Sequence, residues 1–107
     1  AVRVGRCPQN DVILSLPGIS WFHAELRLIA RGRDAEPLLG VCDLSSNGTG
    51  IKAVGTDRAE RLCKNVLKEV QHGSQIIVPM KVAAGRSSVA FAVMIDGFSR
   101  GSPVPVD

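Results

Sequence analysis

Three short stretches of the chain carry side chains able to bind or transfer charged groups: Gly5-Arg6, Ser20-Trp21-Phe22-His23 and Asp43-Leu44-Ser45-Ser46-Asn47-Gly48-Thr49. Arg6 follows an apolar stretch and precedes the turn Cys7-Pro8-Gln9-Asn10-Asp11, so its side chain stands at a strand end above a loop surface. A guanidinium is a planar fork of donors matched to carboxylate or phosphate oxygens. In the third stretch Asn47-Gly48 is the strongest short signal for a tight turn, and hydroxyls and an amide crowd around it. Such a loop either presents these groups to a ligand from a rigid sheet or satisfies its own backbone. Taken singly, each group has an ordinary explanation: a surface arginine, a turn serine, and in His23, set between apolar residues, a structural histidine.

Two other chemistries fit these residues less well. Ser20 or Ser46 as nucleophile, His23 as base and Asp43 as orienter would make a hydrolase, but the sequence shows no strained nucleophile elbow. Cys7, Cys42 and Cys63 form no C-x-x-C pair and only His23 and His72 could join them, so no metal or cofactor is expected. Three reduced thiols suit an intracellular setting, nucleus or cytoplasm.

These groups need elements to hold them. Apolar, β-branched blocks recur at Val2 to Val4, Val12 to Leu14, His23 to Ile29, Leu38 to Val41, Ile76 to Val78 and Val89 to Ile95. Breakers separate them at Cys7 to Asp11, Leu16-Pro17-Gly18, Arg31 to Asp34, Ser45 to Gly48, His72-Gly73 and Ala84 to Arg86. Short strands with turn signals about every 8–12 residues predict an all-β sandwich or barrel. Alternation over Glu25 to Ala30 puts Leu26 and Leu28 on the core face and Arg27 on the solvated one. From Ala59 to Val70, Leu62, Val66, Leu67 and Val70 fit one face of a short helix as well as strands broken at Lys64-Asn65. Residues 97–107, rich in Gly, Pro and Ser, read as an extended tail leaving a domain of residues 1–96.

At 107 residues, 45% hydrophobic and 21% charged, the chain suits one compact domain and argues against disorder. Its net charge of +3 favours anionic ligands, yet the cations are scattered and form no run that would track nucleic acid. Val89 to Ile95 is far short of the roughly 20 apolar residues of a membrane span. No charged-then-apolar leader opens the sequence, and neither membrane nor nucleic acid is an expected partner.

In this order on an all-β chain, Gly5-Arg6, Ser20-x-x-His23 and Asp43-x-Ser45-Ser46-Asn47-Gly48-Thr49 resemble the signature of the forkhead-associated (FHA) family. Asn10 to Leu14 is similar to the polar-then-apolar strand after Gly-Arg in these domains, and His72 to Ile76 to their late Gly-Asp turn. The resemblance runs from Val4 to about Val93 and implies a two-sheet β-sandwich that binds phosphothreonine peptides without catalysis. Carried over by position, it implies that Arg6, Ser20 and Ser46 bind phosphate and Asn47 holds the peptide backbone. Gly5, His23, Asp43, Ser45, Gly48 and Thr49 take structural roles by the same resemblance. The implied partner is a kinase-modified protein; the alternative is a degenerate scaffold that binds partners or dimerises without reading phosphate.

The sequence departs from the family in four places. Trp21 stands where Arg, Lys or Asn commonly helps to hold the peptide, and either meets an apolar ligand side chain or covers the core from one end. Gly50 replaces a bulky residue after the turn, and Ser74 replaces the late Asp. The family has a strand or two before Gly-Arg where this sequence has only Ala1 to Val4. Either those strands are missing from this stretch, or the sheet edge is covered by another segment or a second copy.

Overall fold

The computed structural model describes residues 1–30, 32, 37–82 and 87–95. Among them lie nine strands and no helix: β1 (Val2–Gly5), β2 (Val12–Ile13), β3 (Ala24–Ile29), β4 (Leu38–Asp43), β5 (Gly50–Lys52), β6 (Ala59–Arg61), β7 (Lys68–Val70), β8 (Gln75–Val78) and β9 (Val89–Ala92). They form a five-stranded sheet of order β2-β1-β3-β4-β7 and a four-stranded sheet of order β6-β5-β8-β9. All pairings are antiparallel except β1 with β2. The turns expected at Arg31 to Asp34, Gly32 apart, and at Ala84 to Arg86, and the tail with its boundary at residue 96, lie outside the described residues.

Val4, Ala24, Leu26 and Val41 of the first sheet meet Ile51, Ile76 and Val78 of the second in one buried cluster. β5 is the strand that the apolar blocks do not announce. Gly50-Ile51-Lys52 holds a single apolar side chain, but Ile51 is buried and the strand is paired on both sides, by β6 and β8. Gly50 is also buried, and a Cβ there would overlap Met80 Sδ, so Met80 fills the volume that a bulky residue at this position would take.

The segment from Ala59 to Val70 takes strands rather than a helix. β6 and β7 flank a turn in which Asn65 adopts φ 65° and donates its N–H to the Asp43 carbonyl at 2.8 Å. Leu62 and Val70 are buried while Val66 is exposed, a pattern that one face of a helix would not give.

One expectation needs correction. Leu26 is buried, but Leu28, predicted on the same core face, is 67% exposed. The alternation is right and the cover is absent: at that end of β3 the second sheet stops at β9, whose outer edge has no strand partner among the described residues. Leu28 therefore lines an open groove of about 430 Å³ with Leu26, Leu39, Phe91 and Met94.

Candidate phosphopeptide site

The loops at one end of the sandwich carry all three motif stretches, and a buried carboxylate organises the largest of them. Asp43 ends β4 with its side chain inside the protein. Its Oδ1 accepts from Ser45 N–H at 3.1 Å, Ser45 Oγ–H at 2.5 Å and Thr49 Oγ1–H at 2.7 Å. Ser45 Oγ in turn accepts from Gly48 N–H at 2.8 Å, which closes the loop. Hydrogen bonds to an ionised acceptor are the stronger kind, and here they replace the water that a buried carboxylate loses. Gly48 turns with φ +91°, and a Cβ there would press on the Arg61 guanidinium, with Nε at 2.9 Å. Glycine suits both demands.

His23 joins this loop to the one before β3. It is fully buried; Ser20 N–H donates to Nδ1 at 3.0 Å and Nε2 lies 2.9 Å from the Gly48 carbonyl. An acceptor at Nδ1 and a donor at Nε2 define a neutral ring protonated on Nε2. Burial lowers the His23 pKa below its ordinary value, opposed by the Gly48 carbonyl and by the charge of Asp43. Both ring nitrogens are thus engaged with main chain. No serine hydroxyl is left with a basic partner in His23.

Gly5 lets the Arg6 strand end approach the Ser20 loop. A Cβ on Gly5 would overlap the Trp21 carbonyl oxygen and come within 2.8 Å of Asn10 Nδ2. That carbonyl is an anchor, accepting from Cys7 N–H at 3.1 Å and Asn10 Nδ2–H at 2.8 Å. We expect Gly5→Ala to destabilise the fold by about 2–3 kcal/mol, read as a lower midpoint in urea, because backbone must move to admit the methyl. An unchanged midpoint would mean that the approach is not tight in solution. Asn10, buried and with Nδ2 also donating to the Cys7 carbonyl, was not singled out as a site residue. Its place beside a proline turn was the only sign of it in the sequence.

Arg6, Ser20, Ser46 and Asn47 all line one open cleft of about 680 Å³, together with Leu16, Pro17 and Trp21. Arg6 Nε–H donates to the Ile19 carbonyl at 2.6 Å, which aims the guanidinium and leaves its terminal nitrogens without a hydrogen bond among the described residues. Ser20 Oγ accepts from Ser46 N–H at 3.1 Å, leaving its own proton to donate outward. Asn47 Nδ2–H donates to the Gly18 carbonyl at 3.0 Å, which turns its amide oxygen into a free acceptor. Trp21 is 52% exposed at this cleft, which leaves half of its surface open. A second cleft of about 690 Å³ also carries donors, Arg58, Lys68, Thr56 and Gln71 among them, but sets them beside the carboxylates of Asp57, Glu60 and Glu69, which repel an anion. Among the described residues no cluster of three or more metal-ligating side chains occurs.

The FHA domain family profile matches residues 2–78. The chain belongs to the FHA family. Its fold agrees with solved FHA domains. The MEK1 FHA domain superposes with TM-score 0.68 at 25% identity, over 89% of this chain and 70% of that one. The MEK1 FHA domain in complex with a HOP1 phosphothreonine peptide gives 0.58 at 28% identity, over 70% and 69%. The N-terminal FHA domain of S. cerevisiae RAD53P, also solved with a phosphothreonine peptide, gives 0.66 at 21% identity, over 89% and 67%, a likeness of fold alone. No curated protein matches the chain. Within this FHA domain the late turn is closed without the usual carboxylate: Ser74 is buried, and its Oγ accepts from Val54 N–H at 3.3 Å.

Proposed function

We propose that this FHA domain is a non-catalytic reader of phosphothreonine peptides that brings its host protein to kinase-modified partners. Arg6, Ser20 and Ser46 hold the phosphate, and Asn47, beside Trp21, holds the peptide. The observation that carries the reading is the set of unfulfilled valences in one cleft: the Arg6 terminal nitrogens, the Ser20 and Ser46 hydroxyls and the Asn47 amide oxygen. A phosphate with about −1.5 to −2 charges and three acceptor oxygens complements the first three. A peptide N–H complements the fourth. The solved MEK1 complex with a HOP1 phosphothreonine peptide supports the same ligand class for this chain.

Two rival readings fare worse. Hydrolysis would need a base for a serine hydroxyl, and both nitrogens of His23 are bound to main chain. A scaffold indifferent to phosphate leaves four convergent polar groups without a purpose.

Titration of a degenerate phosphothreonine peptide library, with phosphoserine and unphosphorylated controls, tests the proposal. We expect a Kd of about micromolar order for the best phosphothreonine peptides and no measurable binding without phosphate. The extra methyl of threonine is worth about 0.8 kcal/mol, or about fourfold over phosphoserine, if it enters an apolar niche. Equal binding of phosphorylated and unphosphorylated peptides would return the scaffold reading.

A further inference from the structure

Trp21 is the largest side chain at the cleft and the one least explained by the fold. Its indole is half exposed, it lies outside the buried cluster, and its place in the chain is fixed by its carbonyl rather than its ring. Leu16, also exposed, and Pro17 line the same cleft and extend the apolar surface. The Arg6 guanidinium carbon lies 5.9 Å from the centre of the Trp21 ring, so the apolar surface is continuous with the proposed phosphate contact. Among the described residues lining this cleft, Arg6 is the only charged one. A basic ligand side chain entering it would meet Arg6 and no carboxylate. An acidic one would compete with phosphate for the same guanidinium.

From this surface we infer that Trp21, with Leu16 and Pro17, is the specificity-determining platform of the cleft and selects a bulky apolar side chain flanking the phosphothreonine. This rests on the phosphothreonine reading above and names the sequence context that the site accepts. Exposed Trp at the centre of a recognition surface gives large contact area at small entropic cost, which is why such residues dominate binding energetics. Burying one aliphatic or aromatic ligand side chain against it strengthens binding by about tenfold.

The test uses phosphothreonine peptides in which each flanking position in turn carries Ala, Leu, Trp, Asp or Lys, titrated by fluorescence anisotropy into the parent, Trp21→Ala and Trp21→Phe. At one or more positions Leu or Trp binds the parent about tenfold more tightly than Ala, while Asp and Lys gain nothing. Trp21→Ala reduces that advantage to within about twofold and still discriminates phosphorylated from unphosphorylated peptide; Trp21→Phe keeps most of it. Because Trp21→Ala also removes the ring beneath Arg6, the quantity read is the ratio between apolar-flanked and Ala-flanked peptides, not either affinity alone. Phosphate-dependent binding with no apolar preference, or a preference that survives Trp21→Ala, overturns this inference and leaves the phosphothreonine reading standing. Absence of phosphate-dependent binding with every flank overturns both.

Discussion

Arg6→Ala binds a phosphothreonine peptide about 100-fold more weakly than the parent domain. The magnitude follows from the bonds lost: charge-assisted hydrogen bonds contribute about 1.5–3 kcal/mol each, and 100-fold is about 2.7 kcal/mol. Arg6 Nε–H is already engaged with the Ile19 carbonyl, so in the proposed complex the remaining nitrogens would meet the phosphate in an orientation fixed beforehand. Less ordering entropy is lost on binding as a result. Arg6→Lys keeps the charge and loses the fork, so its affinity falls between the two. The fold should respond only modestly, by about 1 kcal/mol, since the Ile19 carbonyl loses its bond from Nε while the Arg6 main-chain N–H keeps its bond to the Ser20 carbonyl. Isothermal titration at two ionic strengths checks both points: parent affinity declines with salt, and the decline is shallower in Arg6→Ala. Equal Kd values for parent and Arg6→Ala would remove the guanidinium from the site.

His23→Ala lowers stability by about 4 kcal/mol, enough to drop the midpoint of thermal unfolding by about 15 °C or more. The substitution opens a cavity and strands two buried groups, the Ser20 N–H and the Gly48 carbonyl, each worth about 1–3 kcal/mol when left unsatisfied. Since His23 bridges two of the loops that line the cleft, the variant also loses peptide affinity wherever it remains folded. The same residue gives the parent an acid-sensitive stability. The His23 pKa is lowered in the folded state, chiefly by burial, so the unfolded chain takes up the proton first as pH falls below about 6.5. In that window the unfolded state binds more protons than the native one, and stability therefore decreases as pH decreases toward the folded-state pKa. Urea midpoints between neutral and mildly acidic pH should show this slope in the parent and a shallower one in His23→Ala. Identical slopes would mean that His23 does not stay neutral in the native state.

Much of this was legible in the sequence, and for identifiable reasons. Strands β3 and β4, six residues each, are long enough to stand out as apolar blocks, and in β3 the alternation also gave the faces of Leu26 and Arg27. The motif residues were legible only together: singly each has an ordinary explanation, and it is their shared order that resembles the FHA signature, while Arg6, Ser20, Ser46 and Asn47 do line one cleft. β5 was not legible: three residues with one apolar side chain have no period, and their strand state comes from pairing on both sides. Leu28 failed for a different reason. Alternation reports which face a side chain takes but not where the opposing sheet ends. The ambiguity from Ala59 to Val70 was settled by long-range bonds, Leu62 N–H to Thr49 and Asn65 N–H to Asp43, which no local window contains.

The anchoring of residue 21 through its carbonyl has a consequence for substitution at that position. Neither Cys7 N–H nor Asn10 Nδ2–H touches the side chain at that position, and neither does any bond in the Asp43 loop. A change of residue there leaves those bonds in place and gives up the ring contact with Arg6 and the covered half of the indole surface. Position 21 is thus open to substitution without loss of the loops' hydrogen bonds, so a new residue there alters the surface that the cleft presents and leaves intact the bonded frame that carries it.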